Sequence, residues 1–208
     1  MYSDWCITTT EYVTLDHALL QKASFGLFLF SIDRDLADVA RQKACPCGGR
    51  LHCANYPRKP RGGGEELPEE YGYRLSFCCD RDGCRKRVTP PSVRFLGRKV
   101  YLGAVVVLVA AMRQGATPRR VRELSKLFGA DRRTIARWQT FWRERFPQTR
   151  FWKVARALLV PAVEVAVLPR ALVEAFLGDG DPCQGWGRLL RFLSPITVAG
   201  GLDSKVFR

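Results

Sequence analysis

The sequence has little of several things that common functional classes depend on. Its 208 residues include only two histidines, His17 and His52, and no Ser/His/Asp or Cys/His combination typical of a nucleophilic enzyme stands out. The longest apolar run, residues 101–112, has twelve residues, whereas a helix that spans a membrane needs about 20. We therefore expect no catalytic residues of the hydrolase type and no association with a membrane.

The first residues do not have the pattern of a secretory signal, because no basic segment there is followed by an apolar stretch. This predicts a cytoplasmic protein in a reducing compartment. The eight cysteines are then expected to be metal ligands or free thiols and not disulfides.

Acidic residues are scarce in one block of the chain. Residues 81–156 hold 20 Lys and Arg but four acids, a net charge of +16, while the rest of the chain has a net charge of −2. Trp138, Phe141, Trp142 and Trp152 are interleaved with these cations, which indicates a folded basic face. Such a face attracts polyanions. We expect double-stranded DNA as the partner and association with the nucleoid. RNA, an acidic membrane surface and a merely solvated surface are less favoured alternatives.

Sequence periodicity predicts a mostly α-helical protein with a small β segment. Helical spacing of apolar residues is predicted over residues 98–113, 118–128, 132–146, 150–160 and 169–177. Upstream, residues 19–30 are predicted to be helical, and Ser31 or Asp33 is predicted to cap a following helix. Residues 71–79 alternate as a strand does. Residues 178–187, rich in glycine, predict a loop.

These patterns divide the chain into five segments. They are a helical N-terminal segment (residues 1–43), a cysteine-rich, zinc-ribbon-like segment (44–96), a three-helix DNA-binding domain (97–147), C-terminal helices (148–178), and a loop and tail (179–208).

The cysteine-rich segment has the spacing of a structural zinc site. Cys45-Pro-Cys47-Gly-Gly and Cys79-Asp-Arg-Asp-Gly-Cys84 form two tight turns, in which Gly48 and Gly83 allow unusual torsions. Cys45, Cys47, Cys79 and Cys84 are the predicted Zn²⁺ ligands. Four protein ligands leave no open position for water, so the metal is expected to be structural.

The choice of ligands leaves alternatives open. Cys78 and Cys79 point to opposite faces of a strand, and Cys79 shares its face with Phe77, which favours Cys79. The first turn has one residue between its cysteines where two are usual, so Cys53 or His52 is an alternative ligand, as is Cys78. Buried free thiols are the other interpretation.

Residues 117–138 have the pattern of a helix-turn-helix motif. Pro118 suits the first turn of one helix, Gly129 ends it, and Asp131 can cap the next. The second helix would then present its N-terminal end to the major groove of DNA. The predicted DNA-binding residues are Arg119, Arg120, Arg132, Arg133, Thr134, Arg137 and Arg143.

Taken together, residues 45–146 resemble the N-terminal region of bacterial insertion-sequence transposases and their accessory proteins. The matching parts are Cys45-Pro-Cys47-Gly, Phe77-Cys78-Cys79, Cys84-Arg85, residues 89–97 and residues 117–138. The resemblance implies a zinc ribbon followed by a helix-turn-helix that binds the ends of a mobile element.

Transposases of this kind usually cut DNA with three carboxylates on a ribonuclease-H-like sheet. After residue 138 the acids are few and the intervening sequence is helical, which leaves no room for that sheet; they are Glu144, Glu164, Glu174, Asp179, Asp181 and Asp203. We therefore expect a sequence-specific DNA-binding protein that is not itself an enzyme.

Two alternatives are the DNA-binding subunit of a split transposase or nuclease, with a catalytic chain as partner, and a stand-alone transcriptional regulator. In the first case the helices of residues 150–177 would present a partner surface, whereas the simpler interpretation of their apolar residues is a core. Those residues are Trp152, Leu158, Leu159, Val163, Val167, Leu172 and Phe176.

Overall fold

The computed structural model describes residues 23–58, 69–95, 118, 122, 132–178 and 181–198. Helices predominate in these residues, and small antiparallel sheets lie in the segment that carries the cysteines. This confirms the predicted fold class at the level of a mostly helical protein with a small β segment. The helix predicted over residues 98–113 lies outside the described residues. Of the helix predicted over 118–128, only Pro118 and Arg122 are described, and both are helical.

The first described element is one continuous helix, α1 (Ala23–Gln42), in which Leu29 and Ile32 are buried one turn apart. The prediction that a new helix starts at Ser31 or Asp33 is therefore wrong. Ser31 Oγ donates to the carbonyl of Phe28 at 2.8 Å, so its hydroxyl is satisfied within the helix. Asp33 is buried in the middle of α1, where its carboxylate serves a tertiary contact.

That contact is a buried ion pair between Asp33 and Arg94 (Nε to Oδ2, 2.8 Å). The same carboxylate accepts from Ser92 Oγ and from the Val93 backbone N–H, each at 2.6 Å. The guanidinium of Arg94 also donates to the carbonyls of Tyr71 and Tyr73. Because every charge here has several partners, the desolvation cost of burying the pair is offset. The network fastens α1 to the cysteine-bearing segment.

Two small sheets make up the β part. In the first, β1 (Leu51–Cys53) and β5 (Arg87–Val88) flank β4 (Phe77–Cys79), all antiparallel; Leu51 lies opposite Cys79 and Phe77 opposite Val88. In the second, β2 (Tyr56–Pro57) pairs with β3 (Tyr73–Arg74).

The single strand predicted over residues 71–79 is split. A 3₁₀ turn covers Glu69–Gly72, β3 follows it, and the ladder breaks at residues 75–76 before β4. At the break, the Ser76 backbone N–H donates to Asn55 Oδ1 at 3.0 Å. A side chain therefore takes the place of the backbone acceptor that a neighbouring strand would supply. The alternation of apolar and polar residues along the sequence does not indicate such a contact.

An aromatic core organises the helices after residue 131. Helix α2 (Arg132–Thr140) continues into a π-helical turn (Phe141–Arg145) and a 3₁₀ turn (Phe146–Gln148), and α3 (Arg150–Ala155) follows. The ring of Phe146 lies 4.6 Å from that of Trp142 and 5.1 Å from that of Trp152, and all three side chains are buried. Thr149 caps α3 by accepting from the Trp152 N–H at 3.1 Å.

The last two helices close this core. A 3₁₀ turn (Arg156–Leu158) extends α3, a second one covers Val165–Val167, and α4 (Arg170–Leu177) agrees with the helix predicted over 169–177. Helix α5 (Pro182–Leu193) and a 3₁₀ turn (Ser194–Thr197) end the described chain. The predicted loop over 178–187, and the assignment of 179–208 to a loop and tail, are thus wrong from Pro182 to Thr197.

The glycines that suggested a loop have another role in α5. A Cβ on Gly185 would lie 2.8 Å from the carbonyl oxygen of Phe176, so this glycine lets α5 pack closely against α4. Trp186, Leu189 and Leu193 then repeat along the buried face of α5. Asp35 of α1 binds Arg191 at 2.6 Å, and Thr197 Oγ1 accepts from the Ser92 N–H at 2.9 Å. These contacts join the last described elements to α1 and to the segment that carries the cysteines.

None of the helices in the described ranges combines the length and the apolar character needed to cross a lipid bilayer.

Candidate metal centre and basic surface

Four cysteine side chains meet between the two turns that the sequence singled out. The sulfurs of Cys45, Cys47, Cys79 and Cys84 all lie within 4.8 Å of one another. The Cys45 sulfur is 3.4 Å from that of Cys47 and 3.7 Å from that of Cys84, and Cys47 is 3.5 Å from Cys79. All four are free thiols. These are the residues predicted as ligands.

The local backbone explains how each turn points its cysteines inward. The Gly48 N–H donates to the carbonyl of Cys45 at 2.8 Å, and Gly48 has φ +80°. In the second turn the Cys84 N–H donates to the carbonyl of Arg81 at 3.1 Å, and Gly83 has φ +82°. Both glycines therefore have the positive φ predicted for them, which side chains with a Cβ rarely adopt.

Gly49 has a different role, which the sequence did not reveal. A Cβ on this residue would lie 2.4 Å from the Cys79 sulfur, so only glycine lets the first turn approach β4 this closely. The second glycine of the Cys-Pro-Cys-Gly-Gly run is the signal that could have indicated it.

The alternative ligands lie elsewhere. Cys78 Sγ points to the other face of β4 and donates to the carbonyl of Arg85 at 3.5 Å. His52 Nε2 lies 3.4 Å from Asp80 Oδ2 on the exposed face of the sheet. Cys53 is exposed. Within the described residues, therefore, neither His52, Cys53 nor Cys78 joins the four-cysteine cluster.

Backbone N–H groups donate to three of the four sulfurs and set their proton affinities. The Gly49 N–H lowers the pKa of Cys47 to about 6, and the neighbouring cysteines act in the same direction. The Arg81 N–H lowers the pKa of Cys79, but burial and the other three thiols outweigh it and raise this pKa to about 12. The Cys47 N–H likewise lowers the pKa of Cys45, while burial and the Cys47 and Cys84 thiols produce a net rise.

The geometry of the cluster fits a tetrahedral metal ion. A metal bound at about 2.3 Å to four sulfurs requires sulfur–sulfur distances of about 3.8 Å. Three of the six distances are 3.4, 3.5 and 3.7 Å, and all lie within 4.8 Å. The four cysteines could therefore hold a metal ion. They would fill its coordination shell, so the site is suited to holding the chain in place.

The cluster is also part of the small core of this segment. Leu51 and Phe77 of the sheet and Ala37 of α1 pack around Cys45 and Cys79. A metal at this position would consequently fasten the two turns, the sheet and α1 to one another.

The predicted DNA-binding residues fall into three groups. Arg132, Arg133 and Arg137 lie on the exposed side of α2, and Arg143 is exposed in the π-helical turn. Thr134 lies in α2, and the structure does not describe its side chain. Arg119 and Arg120 lie outside the described residues altogether.

The exposed cations extend beyond the predicted set. Residues 132–156 hold eight exposed basic side chains against one acid, Glu144; the basic residues beyond the predicted ones are Arg145, Arg150, Lys153 and Arg156. The buried rings of Phe141 and Trp142 lie beneath this surface, so the cations are carried by a packed core. We call these eight cations the basic surface.

Comparison of the chain with family models, with curated proteins and with solved structures gives no match.

Proposed function

We propose that the chain is a sequence-specific DNA-binding protein of a bacterial mobile element, with a structural Zn²⁺ and without a catalytic domain of its own. The observation that carries the proposal is the row of exposed arginines on α2 and the turn after it, Arg132, Arg133, Arg137 and Arg143.

The arginines of α2 suit a helix that enters the major groove. The groove is about 12 Å wide and admits one α-helix, and an arginine there can donate two hydrogen bonds to guanine O6 and N7. Arg133 and Arg137 are one turn apart, so their side chains can reach neighbouring positions. The flanking cations Arg143 and Arg145, in the turn after α2, would contact phosphates and add affinity without sequence preference.

Zn²⁺ is the metal that the four cysteines favour. Soft thiolate ligands in a closed tetrahedral site are typical of structural zinc, while iron is the other metal with this preference. With all four positions taken by protein, the metal would hold the sheet together and leave the reading of DNA to α2. In this proposal residues 44–96 are a zinc ribbon and residues 97–147 a helix-turn-helix domain.

A second candidate is the DNA-binding subunit of a split transposase or nuclease. The exposed apolar side chains between Val154 and Val167 favour it, because an exposed apolar surface of this kind is typical of a protein interface.

The test is a selection of duplexes from a random DNA pool by the zinc-loaded protein at near-physiological salt. We expect an enriched motif that is lost with Arg133→Ala, since losing a base contact weakens specific binding by about 1–3 kcal/mol. Arg41→Ala is the matched control, because Arg41 is an exposed arginine of α1.

Retention without enrichment, lost steeply as salt is raised, would contradict sequence reading and leave a surface that binds phosphate only. Equal affinity for hairpin RNA and duplex DNA would contradict the choice of DNA.

A further inference from the structure

Five large apolar side chains are exposed within residues 154–167. Val154 is 67 % exposed, Leu158 78 % and Val160 93 %, and Val165 and Val167 are exposed to 37 % and 40 %. Apolar residues exposed one at a time are ordinary, whereas a group of them marks an interaction site. We call these five residues the valine patch. The apolar residues predicted over residues 150–177 do not all lie in one environment. Trp152 and Leu172 are buried in the core, whereas Leu158 and Val167 are exposed.

The charges beside the patch are mainly positive. Arg150 and Lys153 are exposed on α3 next to Val154, and Arg156 is exposed just before Leu158. Glu164 is the one acid in residues 150–167. A two-fold pairing of identical copies would bring these cations together, which opposes self-association. Acidic groups on the occupant would instead complement them.

The backbone of the patch favours a protein over a lipid surface. Between the 3₁₀ turns, residues 159–164 are neither helix nor strand, and Leu159 and Glu164 at the ends of this stretch have extended torsions (ψ 118° and 119°). The apolar interior of a bilayer offers no partner for the N–H and C=O groups of such a backbone. A protein segment can supply both apolar contacts and hydrogen bonds.

We propose that the valine patch binds a protein partner through a segment that is apolar and flanked by acidic side chains. The Val165–Val167 turn packs against the Phe141–Arg145 turn that follows α2. The partner would therefore be held close to the basic surface. This inference goes beyond the proposed function and holds whether or not DNA is the ligand of α2.

The experiment is a selection of displayed random twelve-residue peptides on the full-length, metal-loaded protein. We expect enriched peptides that combine Leu, Ile, Val or Phe with Asp or Glu. Binding of a synthetic enriched peptide should weaken at least about tenfold with Leu158→Asp, because burying a carboxylate in an apolar contact is costly. Val39→Asp is the matched control, since Val39 is an exposed valine of α1.

A double charge-reversal variant tests whether the cations beside the patch contribute to binding. Lys153→Glu with Arg156→Glu should weaken binding of the acidic peptide about tenfold and should favour the same peptide with lysines in place of its acids. Both positions are exposed, and an unchanged circular dichroism spectrum shows that the fold is retained.

Any one of five results would overturn the proposal. The first two are a selection that enriches no acidic, apolar peptides, and an enriched peptide that binds Leu158→Asp unchanged. Another is binding to phosphatidylglycerol vesicles that Leu158→Asp abolishes, which would assign the patch to lipid. A dimer in sedimentation that Leu158→Asp abolishes would assign it to a second copy. A melting temperature lowered by Leu158→Asp but not by Val39→Asp would show that the chain itself covers the patch.

Discussion

The cysteine segment (residues 45–58 and 69–95) and the helical region (residues 132–178 and 181–198) differ in what holds them together. The strands of the cysteine segment have two or three residues each, too few to be stable by themselves. Its core is correspondingly small, and four of the residues in and around it are the clustered cysteines. The helical region instead buries three tryptophans, Trp142, Trp152 and Trp186.

This difference indicates which change should destabilise each region most. The cysteine segment should depend on a metal, because structural metal sites commonly supply most of the folding free energy of small domains. The helical region should depend on packing of its aromatic side chains. Helix α1 connects the two, because Asp33 pairs with Arg94 of the cysteine segment and Asp35 pairs with Arg191 of α5, while Ser92 contacts Thr197 directly.

The largest expected effect is that of removing the metal. Chelation or Cys79→Ala should abolish amide protection in residues 45–58 and 69–88 and leave α3 and α5 protected, because apparent metal-binding free energies at such sites are about 10–16 kcal/mol. Hydrogen exchange measured by mass spectrometry reports both regions in one experiment. Cys53→Ala should have no effect, since Cys53 is exposed and outside the cluster. Unchanged exchange in residues 45–58 and 69–88 after metal removal would contradict the account.

The reciprocal change is Phe146→Ala in the aromatic core. It should lower the free energy of unfolding of the helical region by about 3–5 kcal/mol, because it leaves a cavity between Trp142 and Trp152. Thermal unfolding followed by tryptophan fluorescence measures the loss. Phe176→Ala, at a half-buried ring, should cost less. Cobalt substituted at the cysteines should keep its absorption bands, and their disappearance would show that the two regions are not separable.

Two ion pairs of α1 allow a matched test of the junction. Asp33→Asn leaves Arg94 buried and unpaired, and should cost about 3–5 kcal/mol of unfolding free energy. Asp35→Asn breaks the partly exposed pair with Arg191 and should cost about 1 kcal/mol or less. Urea unfolding of both variants gives the difference, and equal losses would show that the buried pair holds α1 to the cysteine segment no more strongly than the exposed pair holds α1 to α5.

Proton competition should make metal affinity strongly dependent on pH. The pKa values of Cys45 and Cys79 are raised, so both thiols keep their protons at pH 7 and must lose them to bind metal. Each of these two protons lowers the apparent affinity about tenfold for each unit that the pH decreases, so the fall should be at least about 100-fold per unit. Below about pH 6 the Cys47 thiolate also becomes protonated, which adds about tenfold for each unit. Zn²⁺ titrations at pH 5.5, 7 and 8 check this, and a dependence shallower than 100-fold per unit would contradict it.

The sequence was most informative where a local rule decides the structure. Strand alternation selected Cys79 over Cys78, and the structure places Cys79 in the cluster and Cys78 on the opposite face. The two tight turns required a positive φ at Gly48 and Gly83, and both have it. The spacing of apolar residues likewise predicted α4.

Features that depend on distant residues could not be predicted in this way. Arg94 is 61 residues from Asp33, and nothing in its surroundings in the sequence marks it as buried. The glycines before Trp186 suggested a loop, because close packing of Gly185 against Phe176 is visible only in three dimensions. The separation of Trp152 from Leu158, one buried and one exposed, depends on where α3 ends and its 3₁₀ turn begins.

The most direct test of the central claim, that the arginines of α2 read DNA sequence, is the specificity ratio of the zinc-loaded protein. This is its affinity for the selected duplex divided by its affinity for a scrambled duplex of the same length, measured at one salt concentration. The account predicts a ratio of at least about 10³ for the native protein. It predicts a ratio lower by about tenfold or more for Arg133→Ala and an unchanged ratio for Arg41→Ala. A ratio near one for the native protein, or equal ratios for all three proteins, would contradict it.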